Sequence, residues 1–262
     1  MIGTAGALQE LPGHHHAPTR IGLVLHPERD ATPVLETVRG WARRTGTTVL
    51  ASADPSARDE LAADSELVLA VGGDGAALEA MRLAAPRSVP VLRLNLGRLG
   101  ELTEFEVRQL SRSLDALGRG DFGVESKTAL TLHRGRGGPL LTFDDVVLSR
   151  SRGGSKALVA LHVDGDLISR QAGDGLMVSP RPAAVLVTPL DPHATVSGSL
   201  VLSHADPIIL KVLRHSSALT LQIDGRENIE LPPESRLIVE AAPNVDRVVR
   251  LGAGHAARLR SR

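Results

Sequence analysis

The 262 residues carry 30 Lys plus Arg against 30 Asp plus Glu, so no global basic field draws the chain to nucleic acid or to an anionic membrane surface. Three Phe, one Trp and no Tyr remove the stacking platforms of single-strand binders, and the absence of Cys excludes disulfides, thiolate metal sites and a cysteine nucleophile. The apolar runs are too short to span a bilayer, and residues 1–18 lack the basic start and apolar core of a secretory signal, which makes the cytoplasm the expected location.

Residues 1–18, with His14, His15 and His16 side by side in a Gly/Pro-flanked run, read as a disordered tail, because adjacent histidines of this kind do not converge on one ion. From Arg20 onward the pattern is α/β. IGLVLH reads as a strand, VLETVRGWARRTG as an amphipathic helix stopping at Gly46, and TTVLAS as a second strand. SELVLAV is a near-continuous apolar run, as expected for a strand covered on both faces; AALEAMRLAAP supplies the next helix and VPVLRLNLG another buried strand. Such alternation implies a parallel sheet, whose ligands lie outside the carboxyl ends of the strands. A helix around VRQLSRSLDALGRG closes this Rossmann-like α/β domain, expected over 19–120.

Beyond it the texture changes. ALTLHR, LLTFDDVVLSR, ALVALHVDGDLISR, GLMVSP, AAVLVTPL, GSLVLS, IILKVLR, ALTLQIDGRENIEL and RLIVEAAP are short runs, many alternating, broken by Gly, Pro and Asp. They predict an antiparallel β-sandwich domain over 121–245, leaving 246–262 as a C-terminal tail that could return to the first domain. Asp164-Gly165 and Asp224-Gly225 read as hairpin turns. A small ligand is expected between the two domains.

One stretch carries the chemistry. In VLAVGGDGAALE a buried strand turns through Gly72, Gly73 and Gly75 into a helix, a shape that cradles phosphate with backbone N–H groups and a helix N-terminus. Asp74 stands in the middle of it. A carboxylate against an anion costs about 4 kcal/mol near a protein surface at 4 Å separation, so Asp74 needs a cation to offset it, a proton to accept, or a plain capping role at the helix start.

GGDG after a buried strand, then NLGRLGELTEF, then DGLMVS, is similar to the NAD kinases, and the similarity runs from about Ile21 to Leu251. The resemblance implies an α/β domain followed by a β domain, ATP as phosphoryl donor, Mg2+ carried on the phosphates with no ligand set legible in the chain, and assembly as a homodimer or homotetramer. It implies that Asp74 engages the acceptor hydroxyl while Gly72, Gly73 and Gly75 form the phosphate-side turn. Asn95, Gly97, Arg98, Gly100 and Glu104 match the motif on the nucleotide side, with Arg98 a source of phosphate charge. Asp144 and Asp145 fall at the family's Asn-Glu pair and Asp174 at its GDG position, so these three are the expected acceptor-binding residues. His193, after Pro192, matches a family histidine and reads as packing or capping.

The sequence also departs from the pattern. Ala76 replaces a hydroxyl residue, Glu101 an aromatic one and Asp144 the amide, which adds a charge and removes two donors. The family's Thr-Gly-Ser-Thr-Ala-Tyr acceptor loop is missing: Pro180-Arg181-Pro182 joins two strands directly. The expected function is therefore an ATP-dependent kinase of NAD kinase type whose acceptor is either the 2′-hydroxyl of NAD or a nucleoside-like or small polar alcohol. The competing expectation is a nucleotide-binding or regulatory homologue without turnover.

Overall fold

The computed structural model describes residues 16–51, 58–97, 100, 102–135, 137–151, 153–193 and 198–251. Most of the expected N-terminal tail, all but the first few residues of the C-terminal one, and Arg98 and Glu101 lie outside them. The chain divides into two compact units, one running to Lys127 and resuming at Val245, the other Thr128–Asn244.

In the first unit, β1 (Arg20–Leu25), α1 (Thr32–Thr45), β2 (Thr48–Ala51), α2 (Arg58–Ala63), β3 (Leu67–Gly72), α3 (Asp74–Ala84) and β4 (Val91–Asn95) alternate; the sequence pattern predicts all of these except α2. The strands pair in parallel in the order β2-β1-β3-β4. Every residue of β3 and β4 is buried, which is why their sequences read as unbroken apolar runs apart from Arg93 and Asn95. A short β5 (Phe105–Glu106) adds to β4, and α4 (Leu110–Gly118) follows.

Pro33 in the first turn of α1 and the left-handed Gly46 after it set the helix limits. The Asp30 carboxylate accepts the Thr32 N–H at 2.9 Å, and the Thr32 hydrogen bonds hold its pKa below the usual carboxylate value. The only Trp of the chain, Trp41 on α1, is fully buried with its indole against Gly118 at the end of α4. Burying such side chains is worth about 1.5–3 kcal/mol each, and Trp41 joins Leu110, Leu114 and Leu117 of α4 to the Ile21, Leu69 and Leu94 face of the sheet.

The strand order reverses direction between β1 and β3: the chain leaves β1 for β2 at one edge and returns to β3 on the other side. In open α/β sheets ligands bind beyond the carboxyl ends at such a reversal. His26 and the loop to α1 follow β1 there, and Gly73-Asp74 follow β3.

The second unit is an antiparallel sandwich. One sheet contains β9 (Ala157–Val163), β10 (Asp166–Gly173), β14 (Ile208–Val212) and the first half of β17 (Arg236–Leu251), in the order β10-β9-β14-β17, with β6 (Phe122–His133) against β17 and β7 (Leu140–Thr142) against β6. The other runs β13-β12-β11-β8-β15-β16, where β8 is Val146–Arg150, β11 Gly175–Arg181, β12 Ala184–Leu190, β13 Leu200–Ser203, β15 Leu219–Ile223 and β16 Glu227–Leu231. Alternate residues of both sheets, among them Leu130, Leu148, Val178, Leu210, Leu221 and Val239, form one core. The strands β6 and β17 each pass from one unit into the other along the chain. Unlike the sequence pattern, where the alternation stops near Pro243, β17 continues to Leu251 and pairs in parallel with β4 through Val248 and Val91.

Asp164-Gly165 forms a two-residue hairpin turn with both φ angles positive, at 49° and 89°, as its composition requires. Asp224 and Gly225 turn β15 into β16 with φ of 49° and 68°. No helix among the described residues is long and apolar enough to cross a membrane.

Candidate active site

Gly72 ends β3, Gly73 occupies the N-cap of α3 in extended conformation, and Asp74 is the first helical residue. Asp74 is thus not the cap: the capping role that its side-chain type allows is taken by a glycine, and no side chain caps this helix. Its carboxylate turns instead to the NLGRLGEL segment, where Oδ1 accepts the Leu102 N–H at 3.1 Å. A Cβ on Gly100 would overlap this carboxylate, so only glycine lets the segment close over Asp74.

The segment is held at both ends. At its start, fully buried Asn95 accepts the Gly97 N–H on Oδ1 at 2.8 Å, and Leu96 N–H donates to Gly72 O at 2.8 Å, tying it to the end of β3. In the middle, Gly100 N–H donates to the buried Thr103 hydroxyl at 3.1 Å. At its exit, Glu104 N–H donates to Arg93 O at 2.9 Å, while the carboxylate is buried beside the guanidinium groups of Arg250 and Arg93. Asn95, Gly97, Gly100 and Asp74 are therefore brought together; the Glu104 side chain faces Arg93 and Arg250.

A residue absent from the motifs joins this group. Arg29, in the loop after β1, lies so close to Gly97 that a Cβ there would stand 2.5 Å from its Nη1. It is exposed at the reversal of strand order, and no ion pair holds it among the described residues. The signal available in the sequence was its position in HPERD, just beyond the carboxyl end of the first strand.

The remaining expected residues belong to the second unit. Asp144 and Asp145 lie not within one continuous strand, as the run LLTFDDVVLSR predicts, but in the turn between β7 and β8; Asp144 is exposed and Asp145 half-buried. That turn is organised by Asp224, itself buried. One carboxylate oxygen, Oδ1, accepts the Phe143 N–H at 3.1 Å and the Asp144 N–H at 2.9 Å and lies 2.5 Å from the Thr142 hydroxyl, while Asp224 N–H donates to Asp145 O at 2.9 Å. Burial, and secondarily the neighbouring Asp224, pushes the Asp145 pKa above the usual carboxylate value. The Asp224-Gly225 pair marks a turn in the sequence, as observed, but carries no local sign that Asp224 anchors a segment some eighty positions away.

Asp174 pairs with Arg150, whose Nε donates to Oδ1 at 2.5 Å, and its main chain bonds Leu190 and Arg150. Both side chains are about two-fifths exposed, so the pair is screened and accessible. His193 donates its N–H to Ala172 O at 2.8 Å and its residue is exposed.

Pro180 and Arg181, expected in the connection between the two strands, belong to β11, which meets β12 through a two-residue turn, Pro182-Ala183, with Arg181 opposite Ala184. Neither turn residue has a positive φ, and proline presets the first position. His204 Nε2 lies 3.0 Å from both Arg181 O and Ala184 O; two carbonyl acceptors require a hydrogen on this nitrogen, so His204 donates to both and braces the hairpin.

The chain thus combines a parallel α/β unit, with a carboxylate at the start of α3 just beyond a buried strand, with an antiparallel sandwich. Residues 44–122 match the ATP-NAD kinase N-terminal domain and 167–251 the ATP-NAD kinase C-terminal domain. The chain is 30% identical to NAD kinase 1 of Streptomyces avermitilis, the alignment covering 89% of this chain and 84% of that one. It is 29% identical to the NAD kinase of Chloroflexus aurantiacus, covering 88% of this chain and 93% of the relative. Among solved structures, yeast NADH kinase complexed with NADH superposes with a TM-score of 0.77 at 17% identity, over 92% of this chain and 85% of that one. An NAD kinase from Archaeoglobus fulgidus in complex with ATP gives 0.73 at 19%, over 93% and 99%. The chain belongs to the NAD kinase family and is a kinase.

Proposed function

We propose that this protein transfers the γ-phosphoryl group of ATP to the 2′-hydroxyl of the adenosine ribose of NAD, giving NADP. The observation that carries the reading is Asp74, held by Leu102 N–H under Gly100 at the strand-order reversal, in a chain whose relatives are named NAD kinase. ATP is the donor in this reading by kinship with ATP-NAD kinases and with a neighbour that was solved bound to ATP.

In the transfer, Asp74 accepts the proton of the acceptor hydroxyl as the oxygen bonds to the γ-phosphorus; the bond from that phosphorus to the bridging oxygen breaks, and ADP leaves. Gly72, Gly73 and Gly75 let the phosphates approach the main chain, with the N-terminus of α3 supplying positive partial charge. Arg29 and Arg98 supply full charge to the same groups. Magnesium, in this reading, would be carried on the nucleotide's phosphates and would neutralise charge there. Asp144, Asp145 and Asp174 contact the acceptor, with Asp224 fixing the turn that carries the first two.

A second acceptor class, a nucleoside-like or small polar alcohol, is favoured by one observation: the braced two-residue hairpin at Pro182-Ala183 in place of the family's loop. Loss of paired polar contacts changes acceptor discrimination by orders of magnitude.

The test compares two variants by ATP binding and by turnover with NAD. Asp74→Asn should lower turnover by about 10²–10⁴-fold and leave ATP affinity within about threefold. Arg29→Gln should weaken ATP binding by about tenfold or more, the value of a charge-assisted contact, with NAD binding unaffected. Full turnover by Asp74→Asn would remove the proposed role of that carboxylate.

A further inference from the structure

Six ionisable side chains of the first unit gather behind the Asp74 segment: Arg93 on β4, Glu104, Glu125 and Lys127 on β6, and Asp246 and Arg250 on β17. Arg93 and Asp246 are 2% and 4% exposed. Arg250 joins two carboxylates at once, with Nε 2.5 Å from Glu125 Oε2 and Nη1 on Glu104 Oε2; Arg93 Nη2 lies 3.5 Å from the same Glu104 oxygen. Arg93 Nε and Asp246 Oδ1 have no hydrogen-bond partner among the described residues.

A buried ionic cluster with unmatched polar atoms is a poor source of stability, since apolar side chains of similar volume serve as well or better. What ionic groups provide is a fixed register, and the fixed object here is identifiable. Glu104 is the exit anchor of the segment that begins at Asn95 and closes over Asp74. Only Thr103 separates it from Leu102, whose N–H holds the Asp74 carboxylate, and Thr103 is itself tied to Gly100 N–H. Arg250 reaches Glu104 from the far end of β17, which is the stretch of that strand that runs on past Pro243 beside β4.

We propose that Arg250 is a positioning residue for phosphoryl transfer: by gripping Glu104 it sets the Leu102 N–H, and through it the orientation of Asp74. Arg93 is the second hand on the same carboxylate. This assignment rests on the kinase reading above. Arginine is required, because the two carboxylates are met by two different nitrogens of one planar group, a span that a lysine ammonium does not reproduce. A misplacement of about 1 Å at a catalytic group can cost 10²-fold in rate.

The test uses the full chain with Arg250→Lys, Glu104→Gln and Glu125→Gln, each measured for Tm, for ATP dissociation constant, and for kcat and KM with ATP and NAD. Arg250→Lys and Glu104→Gln are expected to lower kcat by about tenfold or more, with both KM values and the ATP dissociation constant within about threefold. Glu125→Gln weakens the other arm of Arg250 without touching the segment; it should lower Tm by a similar amount and leave kcat within about twofold. Parallel loss of kcat in all three variants, unchanged kcat in Arg250→Lys, or a loss confined to the KM for ATP would each overturn the proposal, the last by making Glu104 a direct nucleotide contact. If Arg250→Lys does not fold, Glu104→Gln, which keeps shape and removes only charge, decides the matter. Absence of turnover in the unmodified protein removes the kinase reading and this one with it, whereas normal turnover in that protein with indifferent variants removes this one alone.

Discussion

Asp145, in the turn before β8, and Asp74, at the start of α3, are both partly buried, but their neighbours differ. Asp74 is held by a backbone N–H, whereas Asp145 is half-buried beside buried Asp224, and burial first and that neighbour second raise its pKa. Protonation is then easier in the folded chain than in the unfolded one. The Asp145 contribution to stability is accordingly full below its unfolded value, near 3.8, and is lost as pH rises through the raised folded value. Asp145→Asn should therefore be more stable than the parent at pH 7, by about half a kcal/mol because solvent screens a half-exposed group, and the gain should vanish as the pH falls below 3.8. Urea midpoints at the two pH values check this; an Asn variant equal to or weaker than the parent at pH 7 contradicts it. At this scale the sequence exposed Asp74, because a strand, glycines and a helix start surround it within a few residues. It did not expose the roles of Asp224 or Arg250, whose partners lie about 80 and 146 positions away and become neighbours only through sheet pairing. Arg29 falls between the two cases, adjacent to a legible strand end but meaningful only once β1 is placed beside β3.

Elements with strong periodicity were legible and short or interrupted ones were not. The buried runs of β3 and β4 and the amphipathic α1 follow directly from their residues, whereas the six-residue α2 and the two-residue β5 are too brief to show a period. The far half of β17 was hidden for another reason: Pro243-Asn244, with Asn244 at φ of 60°, ends the alternation although the strand goes on. Glycine in DGLMVS has a structural cause that motif matching alone does not give. Gly175 has φ of 151°, and a Cβ there would overlap the carbonyl of Leu148 where β11 pairs with β8. Gly175→Ala should destabilise the protein by about 2 kcal/mol or more, a drop of about 5 °C in Tm. Gly138→Ala, where nothing lies within 4 Å, should stay within about 0.5 kcal/mol of the parent. Calorimetry on the pair distinguishes them, and equal melting temperatures would contradict the packing account.

For the molecule as a whole, the order of an α/β unit followed by a sandwich was readable because buried parallel strands and alternating antiparallel ones have different sequence periods. The acceptor was less readable, since the DGLMVSP stretch that the resemblance ties to it runs straight into a hairpin that His204 braces. The central claim, that this chain moves phosphate from ATP to a hydroxyl of NAD through Asp74, is tested most directly by incubating the purified protein with magnesium, γ-labelled ATP and NAD and identifying the labelled product by mass spectrometry. The account predicts one labelled phosphoryl group on the adenosine ribose of NAD for each ADP formed, and almost none with Asp74→Asn. ATP bound without label transfer to NAD, or transfer undiminished in the Asn variant, would contradict it.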